Sequence, residues 1–87
     1  MADIRLPPTL PPLFPGLPRR LELAAATVAE LLDALEAQWP GFCDRLCEPG
    51  PKLRTHIHVY INGERADLNS AIGAGSRVDV ITAISGG

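Results

Sequence analysis

No stretch of this chain stays apolar for the ~18–20 residues that a membrane-spanning helix needs. Basic blocks are missing too. Arg19-Arg20 and the Lys52/Arg54 pair are too sparse for a phosphate-binding stripe, and the formal net charge is -2. Nucleic acid is therefore not an expected partner. The first residues, Met1-Ala2-Asp3-Ile4-Arg5, lack the charged-then-apolar layout of a secretory signal, which points to a cytoplasmic protein. Catalytic constellations are equally scarce. Gly73-Ala74-Gly75 has neither the following helix nor the lysine of a phosphate loop. His56 and His58 share one strand face, but no Ser, Cys or Asp is placed by spacing to complete a triad, so the pair reads as a solvated or helix-covered surface. Only two cysteines occur, Cys43 and Cys47. Their spacing departs from the usual zinc patterns, and the cytosol is reducing. They are expected to be buried or half-buried thiols that behave as small hydrophobes. No catalytic residue and no metal ligand is assigned.

The chain of 87 residues suits one domain, residues 1–87. At this length roughly 60–65% of the extended surface is buried on folding, a thin core that needs no staples. Ile4 and Leu6 alternate with polar neighbours, so residues 3–7 read as a first strand. Pro7 to Pro18 then carries six of the nine prolines and must be loop or edge, with Phe14-Pro15-Gly16 as a turn. Leu10, Leu13, Phe14 and Leu17 in this stretch either belong to a stiff connector or offer apolar contact to a partner. Residues 20–24 alternate again and give a second strand, antiparallel to the first.

Thr27-Val28-Ala29-Glu30 has the form of a capping box. Behind it, Val28, Leu31, Leu32, Leu35 and Trp39 form one apolar helical stripe, with Glu30, Asp33, Glu36 and Gln38 facing water and Pro40-Gly41 as the stop. Such a stripe needs a sheet face to lie on. Phe42 and Leu46 suggest a short helical turn, and 48–51 is a loop. Ile57, Val59 and Ile61 mark a third strand. Asn62-Gly63 is the preferred centre of a type I′ hairpin turn, since both positions need positive φ, and residues 64–67 return. Residues 68–72 look like a small helical turn.

The last stretch, residues 77–87, is a strand that runs into a bare diglycine. Val78, Val80, Thr82 and Ile84 share one face; Arg77, Asp79, Ile81 and Ala83 share the other. Gly86 and Gly87 carry no Cβ, so the segment takes up little room and follows almost any path. The free carboxylate of Gly87 then becomes a mobile group on a rigid mount, with residues 85–87 as an exposed tail.

The order strand, strand, helix, strand, short strand, turn, strand is that of an α+β, ubiquitin-like β-grasp domain: a mixed sheet of four to five strands covered by one main helix. The chain resembles the prokaryotic sulfur-carrier family that includes the molybdopterin synthase small subunit and the thiamine sulfur carrier. The matching pieces are Thr27-Val28-Ala29-Glu30-Leu31-Leu32, Trp39-Pro40-Gly41, the hairpin His58-Val59-Tyr60-Ile61-Asn62-Gly63-Glu64, and Gly75-Ser76-Arg77-Val78 before the terminal Ala83-Ile84-Ser85-Gly86-Gly87. The longer link between residues 40 and 56 looks more like the carriers of cysteine or natural-product biosynthesis and the molybdopterin subunits.

The resemblance implies a carrier rather than an enzyme. A separate E1-like adenylating enzyme, of the ThiF/MoeB type, would use ATP to convert the Gly87 carboxylate to an acyl-adenylate. Sulfide or a persulfide would displace AMP and leave a C-terminal thiocarboxylate for a sulfur-accepting synthase. In that scheme Gly87 carries the acyl group, Gly86 gives clearance, and Ser85 and Ile84 set where the rigid part ends. No cofactor is bound, and the free protein is a monomer. Two alternatives share the activated tail: a permanent small subunit of molybdopterin synthase, and a ubiquitin-like modifier joined to lysines.

Overall fold

The computed structural model describes residues 1–49 and 52–82. Its central feature is a five-stranded mixed sheet. Strand β1 (Ala2–Arg5) pairs antiparallel with β2 (Arg20–Leu23) on one side and parallel with β7 (Arg77–Thr82) on the other. Strand β5 (Ile57–Ile61) pairs antiparallel with β7 and with β6 (Glu64–Ala66), giving the spatial order β2-β1-β7-β5-β6. The chain's first and last strands are thus neighbours in the middle of the sheet, as the β-grasp expectation requires.

Helix α1 (Val28–Gln38) covers one sheet face. Val28, Leu31, Leu32 and Leu35 are buried against Ile4, Ile57, Val59, Val78 and Val80 in a single core. The helix start is capped as its sequence suggests, with Thr27 Oγ1 accepting from Glu30 N at 3.2 Å. The reciprocal half of the capping box does not form among the described residues. The chain entering the helix lies along the 68–72 segment instead: Thr27 bridges Ala71, and Val28 N and Ala29 N donate to the carbonyls of Ser70 (3.2 Å) and Leu68 (2.9 Å). These carbonyls satisfy first-turn donors that helices leave orphaned, and Glu30 stays exposed.

The other end of α1 departs from expectation. Glu36 does not simply face water. Its carboxylate accepts from Gly41 N at 2.8 Å and Cys43 N at 3.0 Å, tying α1 to a short helix α2 (Phe42–Leu46). Gly41 between them holds φ +94°, a left-handed position that favours glycine.

The proline-rich segment is also more than a connector. It contains a 3-10 turn at Pro11–Leu13, and Leu10, Phe14 and Leu17 are buried. The Phe14 ring lies 5.6 Å from that of Phe42, and Trp39 Nε1 donates to Pro15 O at 3.2 Å. Of the four residues considered for partner contact, only Leu13 is exposed, at 48%. The other three close the core over the end of α1.

Two further differences are local. The 48–51 loop is flanked by a two-stranded ribbon of β3 (Cys47–Glu48) and β4 (Lys52–Leu53). Residues 68–72 are not helical. Asp67 organises them as a turn, its Oδ1 accepting from Asn69 N at 2.9 Å while its own N–H donates to Ser70 Oγ at 3.0 Å. Asp and Ser side chains stabilise such turns in competition with helix.

Candidate functional site

The residues expected to act, Gly87 with Gly86, Ser85 and Ile84, lie outside the described residues. The mount from which they depart is described up to Thr82. Strand β7 is held by β1 from Asp3↔Arg77 to Arg5↔Asp79 and by β5 from Ile61↔Val78 to Ile57↔Thr82. Val78 is 0% exposed. A central strand with an alternating buried face is among the last elements of a fold to open, so the strand stays anchored to within five residues of Gly87.

The start of β7 is fixed by the preceding hairpin. Asn62 and Gly63 adopt φ +51° and +86°, the double positive φ of a type I′ turn. Asn62 also reaches across to β7. Its Oδ1 accepts from Arg77 N at 2.9 Å, its N–H donates to Arg77 O at 2.8 Å, and its Nδ2 lies 3.4 Å from Ser76 Oγ. The sequence identified the turn but not this second role, because nothing in a dipeptide reports what its side chain meets fifteen positions later.

Around the end of β7 the surface has two hollows. One, of about 450 Å³, lies beside Arg5, Pro7, Arg19 and Ile81. The other, of about 650 Å³, lies between β4 and the 65–70 segment, and its lining includes Leu53, Ile57, Leu68, Lys52, Arg54 and Arg65. Both hollows are lined by groups of both signs, Arg5, Arg19 and Asp79 in the first and Lys52, Arg54, Arg65 and Asp67 in the second. The uncovered sheet face bears an ion-pair cluster: Asp3 receives both Arg20 Nε (3.1 Å) and Nη2 (3.0 Å), and Arg77 pairs with Asp79 at 3.1 Å. Ile81 stands among these charges at 44% exposure.

The histidines and cysteines do not assemble into a reaction centre among the described residues. His56 is exposed and His58 half-buried, and the buried His58 Nδ1 meets no hydrogen-bond partner among the described residues. Cys43 and Cys47 are half-buried free thiols. Cys43 Sγ donates to Leu32 O at 3.3 Å. Burial, helped by the neighbouring Cys47 and Glu36, pushes its thiol up to about 11, and burial raises Cys47 as well. Such thiols are poor nucleophiles. No helix among the described residues is long and apolar enough to cross a membrane.

Comparison with known proteins places this geometry. The model of the ThiS family matches residues 13–87. Small archaeal modifier protein 1 of Haloferax volcanii is 39% identical over 62 residues, covering 71% of each chain. The sulfur carrier protein CysO of Mycobacterium tuberculosis is 28% identical over 86 residues, covering 92% of each. Among solved structures, a chain of the Amycolatopsis orientalis BexX/CysO complex superposes with a TM-score of 0.88 at 27% identity over 100% of both chains. The Mycobacterium tuberculosis CysO structure gives 0.84 at 26% identity, over 97% of this chain and 100% of that one.

Proposed function

The chain belongs to the ThiS family, and from that premise we propose that it is a sulfur carrier whose reactive group is the Gly87 carboxylate. The observation that carries the reading is the mount. Strand β7 is paired with β1 as far as Asp79 and with β5 as far as Thr82, it is buried on one face as far as Val80, and only four residues separate Thr82 from Gly87. A carboxylate is a poor electrophile, so a separate adenylating enzyme spends ATP to convert it to an acyl-adenylate. The ATP belongs to that enzyme's site. Gly86 and Gly87 have no side chain to obstruct a narrow active-site channel, and exact placement of the acyl carbon lowers the barrier to attack. A sulfur nucleophile adds to the glycyl carbonyl, AMP leaves with the bonding pair, and a thiocarboxylate remains. The protein supplies no general acid or base; it supplies position. A sulfur-accepting synthase in cysteine, cofactor or natural-product biosynthesis then takes the sulfur.

A second reading has its own support, since the relative at 39% identity is named as a modifier. There the same acyl-adenylate passes to a lysine of another protein. The two share their first step and part at the second. Incubation with candidate adenylating enzymes, ATP and hydroxylamine tests the shared step, with a hydroxamate at Gly87 as the expected product. Absence of hydroxamate with every such enzyme overturns both readings. Intact mass of the protein from its native host separates them: oxygen-to-sulfur exchange at Gly87 supports the carrier, and branched peptides support the modifier.

A further inference from the structure

The sequence has two asparagines, Asn62 and Asn69, and only Asn62 is followed by glycine. The side-chain amide carbon of asparagine is an electrophile, and the backbone nitrogen of the next residue is the nucleophile nearest to it along the chain. Attack closes a five-membered imide. Glycine favours the reaction, because it has no Cβ to crowd the approach. Here the reacting groups are open to solvent. Asn62 and Gly63 are both exposed, and a Cβ at Gly63 would meet nothing within 4 Å. Gly63 N makes no hydrogen bond among the described residues.

The fold nevertheless holds the amide away from that nitrogen. Asn62 Oδ1 accepts from Arg77 N at 2.9 Å, and Nδ2 lies 3.4 Å from Ser76 Oγ. Ser76 is only 7% exposed, so this end of the contact is set into the body of the domain. The backbone is fixed as well. Asn62 N donates to Arg77 O at 2.8 Å, and the turn holds φ at +51° and +86°. Cyclisation needs the nitrogen about 3–3.5 Å from the amide carbon with its lone pair aligned on it. Swinging the amide carbon onto Gly63 N breaks the bond from Oδ1 to Arg77 N. An amide engaged at both ends cannot turn while the start of β7 stays in place.

We propose that Asn62 is a modification site locked by β7: its side-chain amide cyclises onto Gly63 N only when the contacts to Ser76 and Arg77 open, and the isoaspartyl link that results unseats the start of β7. In the first step Gly63 N gives its proton to solvent and its lone pair adds to Asn62 Cγ. The bond from Cγ to Nδ2 breaks, and Nδ2 takes a proton from water and leaves as ammonia. Water then adds to one of the two imide carbonyls, the bond from that carbon to the Gly63 nitrogen breaks, and the nitrogen recovers a proton. Opening at Cγ leaves an aspartate at position 62. Opening at the main-chain carbonyl leaves the chain running through the side-chain carbon.

The two products differ in what they do to the mount. An aspartate keeps an oxygen that can accept from Arg77 N. The isoaspartyl link adds one atom to the backbone of a loop that Ile61↔Glu64 closes with two residues, and it consumes the side-chain acceptor. Loop length sets hairpin register, so the bonds that β7 receives from position 62 are lost. Release of ammonia makes the change one-way. The inference concerns the mount alone and stands apart from activation of Gly87.

The test follows the full chain at neutral pH in heavy-oxygen water, folded and in urea above its unfolding midpoint. Tryptic peptide Thr55–Arg65 carries Asn62 and no other asparagine, and chromatography separates its isoaspartyl and aspartyl forms. Gain of labelled oxygen at Asn62 should be at least about ten-fold slower in the folded chain than in urea. Val78→Ala, which loosens β7, should speed conversion in folded samples at least about three-fold, while Ile81→Ala should leave it at the rate of the unaltered chain. The purified isoaspartyl chain should melt below the unaltered chain and lose amide-exchange protection at Arg77; Asn62→Asp should keep that protection. Equal rates of Asn62 conversion in the folded and unfolded chains, a Val78→Ala rate no higher than that of the unaltered chain, or an isoaspartyl chain with unaltered melting and Arg77 protection would each overturn the proposal.

Discussion

Replacing Val78 by Ala tests how much of the anchoring of β7 rests on its core face. Val78 is 0% exposed and lies between β1 and β5 on the core face. The substitution removes two methyl groups, about 1.6 kcal/mol of transfer free energy at ~0.8 kcal/mol per group. Incomplete collapse of the cavity raises this to about 2–3 kcal/mol. For a domain whose total stability is on the order of 4–13 kcal/mol, the melting temperature should fall by roughly 10–20 °C. Ile81→Ala on the opposite face, where the side chain is already 44% exposed, should shift it by less than ~4 °C. Circular dichroism melts measure both. Amide exchange should show faster opening of residues 78–82 in the Val78 variant. At temperatures well below its melting point, however, that variant should still be activated at Gly87 at a near-normal rate, since the strand remains paired in most molecules. A shift under ~4 °C for Val78→Ala, or loss of activation in a fully folded sample, would refute the reasoning.

Three further expectations follow from contacts described above. Phe14→Ala should cost about 3 kcal/mol or more, because the ring is buried against Phe42; an unchanged urea midpoint would return the proline-rich segment to a partner-binding role. Asn62→Gly should keep the turn but lose the bonds to Arg77 N and Ser76 Oγ, costing about 1–2 kcal/mol, whereas Asn62→Ala adds strain at φ +51° and should cost more; equal urea midpoints for the two would remove the turn from the argument. Glu36 is held below the usual carboxylate range, first by Gly41 N–H and then by Cys43 N–H. A depressed folded-state value means its stabilising effect is complete above the ordinary value of 4.5 and fades as pH falls through the lower, folded one. The melting-temperature gap between the native chain and Glu36→Gln should thus be constant from pH 5 to 7 and shrink in acid; a gap that grows in acid contradicts the assignment.

Much of the architecture was readable from local pattern. The stripe from Val28 to Leu35, the alternation of residues 57–61 and 77–82, and the Asn62-Gly63 dipeptide each report on a buried face or a required φ, and each stands where expected. The readings that changed concern residues whose role depends on a distant neighbour. Glu36 looked solvated because its helical position is polar, yet the reversal at Gly41 brings two free N–H groups onto its carboxylate. Leu10, Phe14 and Leu17 show no strand or helix period because prolines break the backbone into local turns, so their burial was hidden. The β3–β4 ribbon rests on the pairs Cys47↔Leu53 and Glu48↔Lys52, too short to leave a repeating signal. Leu68–Ile72 had helical composition, but Asp67 and Ser70 offered a competing set of side-chain bonds. The candidate site was legible in a different sense. The terminal diglycine stands out in the sequence as a candidate but lies outside the described residues, whereas the second role of Asn62, whose Oδ1 accepts from Arg77 N, needed the sheet register.

The proposed function turns on the fate of one carboxylate. The most direct measurement is the intact mass of the chain after incubation with an adenylating enzyme shown to form the Gly87 hydroxamate, together with ATP and isotopically labelled sulfide. The account predicts replacement of one Gly87 oxygen by labelled sulfur, dependent on ATP and abolished by deleting Gly87. Activation at Gly87 that never leads to sulfur, with the label absent from the protein under all these conditions, would contradict it.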